Sequence, residues 1–427
     1  MRLMLNTAST EAVDAAIWRG PFMRPLYDTY CFANIPSTVL HVLTGSDTAG
    51  LPTDCFGTLP CRAEAVVLFF IDALGWRFIA PRLERYPFLK HMLDNGVVSK
   101  LTSQFPSTTA AHVTCIHTGL PPAQSGVYEW FQYQPSVDRM IAPLLFSFAG
   151  DSERDTLLSV DLQPADVFPA RTLYAVLRRS GVKSYLMQGK DIINSAPARA
   201  LGDDATSIGY KTLPEALVNI TRILKKREQP TYVFLYYSAI DAICHQYGPG
   251  SDLLEAEIDA FLTQMERIFM DRALGNVGDD VLFMLTADHG QTEVDPKRMV
   301  YLNHTWRDFK SVITQNRTGN WLTPAGSQRD YFLHVKPERL DEAQHSLSTI
   351  LSGKALVIKT HELIEQGFFG PNPSDRFVQR VGNLVALPFA GESVYYYEGT
   401  KYDRSFYGHH GGLTRGEMEI PFVVCRL

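Results

Sequence analysis

Three stretches of nearly unbroken apolar residues punctuate this chain, and each runs into a carboxylate. They extend from Ala65 to Asp72, from Tyr232 to Asp241 and from Val281 to the Asp288-His289-Gly290 triplet. Apolar runs of this length, bounded by turn residues, read as parallel strands buried on both faces. The segments between them carry helical periodicity. Residues 171–180 form a helix pattern that stops at Gly181, a fitting left-handed C-terminal residue, and Gly181 to Met187 reads as a further strand. Asp252 to Phe269 reads as one long amphipathic helix, acidic at its start and carrying Arg267 near its end. Alternating strands and helices define an α/β fold with a mostly parallel central sheet.

The same pattern divides the chain. Residues 1–60, with one apolar stretch from Ser37 to Gly45 that reads as a short helix, form an N-terminal segment packed on the core. Residues 61–295 form the catalytic α/β core. Residues 296–400 carry elements of their own: strands from Tyr331 to Val335 and from Ala355 to Lys359, a helix from Leu340 to Leu351, and an apolar run from Asn383 to Pro388. That mixture reads as a small α+β cap leaning over the site. Residues 401–427 return to the core and end in an apolar strand from Ile420 to Cys425.

Ligands of open α/β sheets bind beyond the carboxyl ends of the strands. Asp72, Asp241 with His245 four residues on, and the Asp288-His289 pair all fall at that end, and His409 and His410 follow late in the chain. Grouped carboxylates raise one another's pKa unless cations neutralise them. Imidazoles in the set favour Zn²⁺, or Mn²⁺, over Mg²⁺ and Ca²⁺. Each residue alone has a plain structural explanation, a helix cap for Asp72 or a satisfied polar group for His245; together they read as a site for two divalent ions. Pro106, Ser107, Thr108 and Thr109 precede a helix-forming stretch, so the free N–H groups of a helix start would face the metals. Thr108 is the candidate nucleophile there, and the alternative is that Ser107 or Thr108 only caps the helix.

These motifs resemble the alkaline phosphatase superfamily, most closely its type I phosphodiesterase and nucleotide pyrophosphatase branch. The matching segments are Phe70 to Gly75, Thr108 to His112 followed by Thr118-Gly119, Asp241 to His245 followed by Gly248-Pro249, Asp288 to Gly290, and His410-Gly411, all in the family's order. The resemblance implies an alkaline-phosphatase-like three-layer α/β/α sandwich. It implies one metal held by Asp241, His245 and His410, and another held by Asp72, Thr108, Asp288 and His289. It further implies that Thr108 attacks phosphorus and forms a phosphothreonine intermediate. His409 is at most a neighbour of the ligands.

The departures from the family pattern concern the substrate. Where related diesterases place a histidine and then an asparagine for a phosphoryl oxygen, this chain has Ser125 and the segment Tyr128, Glu129, Trp130. A carboxylate at Glu129 would repel a phosphoryl oxygen unless it faced an amine or a further cation, whereas the Trp130 N–H could donate. Aromatic groups at Tyr128, Trp130, Phe131 and Tyr133, and at Tyr395 to Tyr397, fit either stacking of a flat substrate group or packing between core and cap. Two further readings stand beside a phosphodiesterase: a phosphomonoesterase or phosphonate hydrolase on the same scaffold, with Glu129, Arg139 and Lys190 as the charged positions that decide it, and a non-catalytic metal- or ligand-binding protein.

Composition narrows the setting. A net charge of −6 over 427 residues gives no basic footprint for a nucleic-acid polymer and leaves a small phosphodiester or nucleotide-like substrate open. The six cysteines form no C-x-x-C pair and read as reduced, buried thiols. The N-terminus lacks the apolar core of an export signal, and no apolar run is long enough to span a membrane. The expectation is a cytoplasmic enzyme without a membrane partner.

Overall fold

The apolar runs pair side by side. The computed structural model describes residues 5–48, 50–399, 401–402 and 405–427. Among these, seven strands build the central sheet: β1 (Ala65–Ile71), β2 (Gly96–Thr102), β3 (Lys183–Gly189), β4 (Thr206–Tyr210), β5 (Thr231–Tyr237), β6 (Val281–Thr286) and β7 (Glu419–Arg426). Their spatial order is β2-β7-β6-β1-β5-β3-β4. The sheet is parallel except for β7, which runs antiparallel to both β2 and β6. Every residue of β1 and β6 is buried. Full burial of each Val, Leu, Ile or Phe contributes about 1.5–3 kcal/mol, so these two strands anchor the core.

Three elements differ from the sequence expectation. β2 carries Ser99 and Lys100 inside a buried strand, and Lys100 is tolerated there because its Nζ meets Asp14 at 2.7 Å and Glu419 at 3.0 Å. β4 is a partly exposed edge strand with no apolar run to announce it. The long helix is α-helical only over Asp252–Gln264, and its last turn, Met265–Met270, widens to a π-helix. That extra residue per turn lets the consecutive Phe269 and Met270 both lie buried.

Two helices start at the carboxyl edge of the sheet: α1 (Thr109–Thr118) and α2 (Ala239–Tyr247). α1 ends at Gly119, whose φ of 75° is the left-handed stop that glycine supplies without steric penalty. A second, antiparallel sheet runs in the order Ala325–Gly326, Tyr331–Leu333, Leu384–Pro388, Ala355–Lys359. It is tied to the core by the buried pair Arg329 and Glu417, with Nε to Oε1 at 2.9 Å and Nη2 to Oε2 at 3.0 Å. Among the described residues, no helix is long and apolar enough to cross a membrane.

Candidate metal centre and active site

β1 delivers Asp72 at its carboxyl end, and the next residue, Ala73, takes a left-handed φ of 59°. That turn is strained for a residue with a Cβ, and it aims the Ala73 N–H at Asp288 Oδ1, 3.1 Å away. The loop after β6 supplies Asp288 and His289, whose own N–H also reaches Asp288 Oδ1 at 2.9 Å. Gly290 lets this loop pass close to Gly75 and Gly416, since a Cβ there would sit 2.2 Å from the Gly416 carbonyl oxygen. Asp241 lies in the first turn of α2, one short step past β5, with His245 one turn on. His410 arrives from the far end of the chain through a bridge between Ser107 and Gly411.

These side chains converge. His289 Nε2 lies 3.2 Å from Asp288 Oδ2 and 3.5 Å from Asp72 Oδ1. His245 Nε2 lies 3.3 Å from Asp241 Oδ1, and His410 Nε2 lies 3.8 Å from the same oxygen. The His289 and His410 rings stack with centroids 3.6 Å apart. Two overlapping donor groups result, Asp72 with Asp288 and His289, and Asp241 with His289 and His410, each with ligand atoms within 4.8 Å of one another. His289 is common to both. His245 adds a donor on the Asp241 side.

Their surroundings fit divalent cations. Burial, and then the charges of Asp288 and Asp241, push the Asp72 carboxyl well above its usual range. Burial raises Asp288 to about 7 and also raises Asp241, while it drives His289 and His410 well below the usual imidazole value. Uncharged imidazoles are the form that binds metal, and a cation between the carboxylates removes the repulsion that raises them. Asp72 Oδ1 and Asp288 Oδ2 are buried without a hydrogen-bond partner, as oxygens reserved for an ion would be. The second ring nitrogens are also fixed, His410 Nδ1 by the Ser107 carbonyl at 2.9 Å and His245 Nδ1 by the Gly408 carbonyl at 2.8 Å. Such contacts orient imidazole ligands. Tyr236 donates to Asp72, and Gln291 Nε2 donates to Asp241 Oδ1 at 2.6 Å.

The helix start separates two neighbouring threonines. Thr109, the first residue of α1, holds its hydroxyl 3.2 Å from His289 Nε2 and lines the cavity beside Asp72 and Asp241. Thr108 is the N-cap residue, makes no capping bond, and turns its hydroxyl to the Glu129 carboxyl. The extended backbone of Thr108 (φ −131°) precedes the first helical residue, so the two side chains leave in different directions. Of the two hydroxyls it is that of Thr109 that meets His289, while that of Thr108, the nucleophile expected from the sequence, meets Glu129. His112 holds this turn in place, with Nδ1 on the Thr108 carbonyl at 2.7 Å and Nε2 at 2.9 Å from Ser103 Oγ.

The substrate candidates also divide. Trp130 lines the cavity. Tyr128 does not reach it and is buried against Phe332 and Phe377, joining the core to the second sheet. Glu129 is fully buried, accepts from the Trp130 N–H, and lies beside Asp330 and the Thr108 hydroxyl. His409 keeps its ring beside His245, centroids 5.0 Å apart, with Nδ1 accepting the His410 N–H at 2.9 Å.

The parallel sheet with ligands at its carboxyl edge and a second sheet inserted before the last histidine is the architecture of the alkaline phosphatase superfamily. Residues 66–413 match the family model for type I phosphodiesterase / nucleotide pyrophosphatase, and the chain belongs to that family. Among curated proteins it is 25% identical over 264 residues to bis(5'-adenosyl)-triphosphatase ENPP4 of Bos taurus, covering 60% of this chain and 54% of that protein. It is 23% identical over 247 residues to GPI ethanolamine phosphate transferase 2 of Schizosaccharomyces pombe, covering 55% of this chain and 29% of that one. The matched region thus spans about half or less of these curated relatives. Among solved structures, murine ectonucleotide pyrophosphatase / phosphodiesterase 5 superposes with a TM-score of 0.61 at 19% identity, over 84% of this chain and 87% of that one. Phosphonoacetate hydrolase of Sinorhizobium meliloti 1021 gives 0.61 at 16% identity, over 85% and 90%. These likenesses show the fold.

Proposed function

We propose that the protein is a two-metal hydrolase of phosphodiester or phosphoanhydride bonds that works through a covalent intermediate on Thr109. The carrying observation is the Thr109 hydroxyl, placed at the first turn of α1 and facing His289, the residue common to the two donor groups. Asp72, Asp288 and His289 would hold one ion, and Asp241, His245 and His410 the other, with His289 within reach of the second ion as well. Zinc suits this mixed oxygen and nitrogen set, with manganese as the alternative. Bound there, two divalent ions supply Lewis acidity, activating a hydroxyl and neutralising phosphoryl charge.

The chain's own residues do the rest. The N–H groups of the first turn of α1 stand ready to hold phosphoryl oxygens. The Thr109 oxygen attacks phosphorus, the ester or anhydride bond breaks, and the alcohol or phosphate leaves. Water then cleaves the phosphothreonine and restores the hydroxyl. All six cysteines are unpaired thiols, which supports a reducing, cytoplasmic setting.

The test compares bis(p-nitrophenyl) phosphate with p-nitrophenyl phosphate as substrates of the zinc-loaded protein. Faster diester cleavage, absent in Thr109→Ala, supports the reading. Faster monoester cleavage shifts the assignment to a phosphomonoesterase, and silence on both removes the phosphodiesterase.

A further inference from the structure

Each side chain on the Asp72 side of the cluster offers a single donor atom. Asp72 Oδ1 and Asp288 Oδ2 lie 3.5 Å and 3.2 Å from His289 Nε2, and the second polar atom of each of these side chains is already engaged. Asp288 Oδ1 accepts two backbone N–H groups, from Ala73 at 3.1 Å and from His289 at 2.9 Å. His289 Nδ1 donates to the Gly290 carbonyl at 3.1 Å, which leaves the lone pair on Nε2. Asp72 Oδ2 accepts the Tyr236 hydroxyl. Two of these three locks are made by the backbone, and the third by a side chain.

Tyr236 is itself firmly placed. The register of β1 and β5 sets it opposite Phe70, two residues before Asp72, with ring centroids 5.5 Å apart. The Asp72 N–H meets the Tyr237 carbonyl at 2.9 Å, and the Tyr236 carbonyl accepts the Tyr210 hydroxyl at 2.6 Å. Strand pairing thus fixes both ends of the contact between phenol and carboxylate.

A carboxylate with one oxygen occupied meets a cation through the other, whereas one with both oxygens free can clamp it with two. The difference matters to the choice of ion. Zinc is satisfied by three protein donors and an open position, while Mn²⁺ and Ca²⁺ collect six or more donors, mostly oxygens. Two single oxygens and one imidazole nitrogen make the smaller set, with the Thr109 hydroxyl 3.2 Å from that nitrogen.

We propose that Tyr236 is a positioning residue that sets metal selectivity on the Asp72 side: by occupying Asp72 Oδ2 it holds this carboxylate to one oxygen and favours zinc over larger, oxygen-seeking ions such as Mn²⁺. The inference rests on the reading of the cluster as a centre for two divalent ions.

Competition titrations of the chelator-treated protein against a metal indicator, with Zn²⁺ and with Mn²⁺, test it. In Tyr236→Phe, which keeps the ring against Phe70, one zinc ion should bind about 10–100-fold more weakly, the usual contribution of a group that orients a ligand. Its affinity for Mn²⁺ should stay or rise, because the released oxygen adds a donor. The preference for zinc should therefore fall by about tenfold or more at one site and not at the other. The affected ion should be the one that His245→Ala retains. Tyr210→Phe removes a hydrogen bond to the Tyr236 backbone and leaves Asp72 Oδ2 occupied, so it should keep the wild-type preference. Equal weakening of both metals in Tyr236→Phe would mean that the phenol only stiffens the cluster, and it overturns the proposal. Unchanged zinc affinity in Tyr236→Phe does the same, as does an equal loss of preference in Tyr210→Phe. Wild-type protein that binds neither metal fails earlier, removing the two-ion reading and the proposal with it.

Discussion

Thr109 Oγ1 and His289 Nε2 face each other across 3.2 Å, although the two residues are 180 positions apart in the chain. The contact joins the start of α1 to the loop after β6, and it distinguishes Thr109 from Thr108, whose hydroxyl points to Glu129. Replacing Thr109 by Ala is expected to lower kcat on an activated phosphodiester by about a thousandfold or more, as loss of a nucleophile does. Thr108→Ala should stay within about tenfold of wild type, because it loses a contact to Glu129 and not the attacking group. Initial-rate assays of both variants decide it, and the reverse ranking would return the nucleophile to Thr108.

His289 belongs to both donor groups, whereas His245 stands on the side of Asp241 and His410. Metal analysis after gel filtration should show His245→Ala losing one ion selectively and His289→Ala losing both. Equal stoichiometry in the two variants would overturn the shared role of His289.

Gln291 fixes Asp241 through its 2.6 Å hydrogen bond. Residues that orient a metal ligand typically contribute 10–100-fold in affinity, so Gln291→Leu should raise the chelator sensitivity of the enzyme by about that factor. Unchanged zinc affinity in a competition titration would show that Asp241 needs no such support.

Burial raises the Glu129 carboxyl to about 8 from a usual 4.5. The folded chain thus holds this proton more tightly than the unfolded one. Its contribution to stability is full below about pH 4.5 and is lost as pH rises towards 8. Glu129→Gln, which is neutral throughout, should match the wild type at pH 5 and melt at higher temperature than the wild type at pH 8.5, both measured on chelator-treated protein. A wild-type advantage at pH 8.5 would mean that the carboxylate is ionised and paired.

The Arg329 and Glu417 pair is completely buried, and Glu417 Oε1 also accepts the Gly412 N–H at 3.0 Å, just past His410. Arg329→Met leaves a buried carboxylate unpaired and should cost about 3–5 kcal/mol of stability. Chemical denaturation measures this, and a loss below about 1 kcal/mol would show that the pair is dispensable.

Much of this arrangement was legible because its signals are local. A buried parallel strand is apolar nearly throughout, so β1, β5 and β6 stand out, and the first carboxylate after each marks the sheet edge where Asp72, Asp241 and Asp288 gather. β2 and β4 were not legible. Lys100 in β2 depends on Asp14 and Glu419, contacts that only the folded chain reveals, and β4 sits at an edge where apolar residues are not required. The choice between Thr108 and Thr109 turns on where the first helical residue falls, a boundary that composition does not define. Tyr128 was equally ambiguous, since an aromatic residue reads the same whether it packs between two sheets or lines a cavity.

The placement of β7 couples the closure of the sheet to the last ligand. It occupies the gap between β2 and β6, with backbone pairing on both sides. Without Glu419–Arg426, β2 and β6 would present open edges to each other and to any neighbouring chain. His410 lies in the segment that leads into this strand, so the insertion that removes two open edges also draws an imidazole of the centre to the carboxyl edge of the sheet.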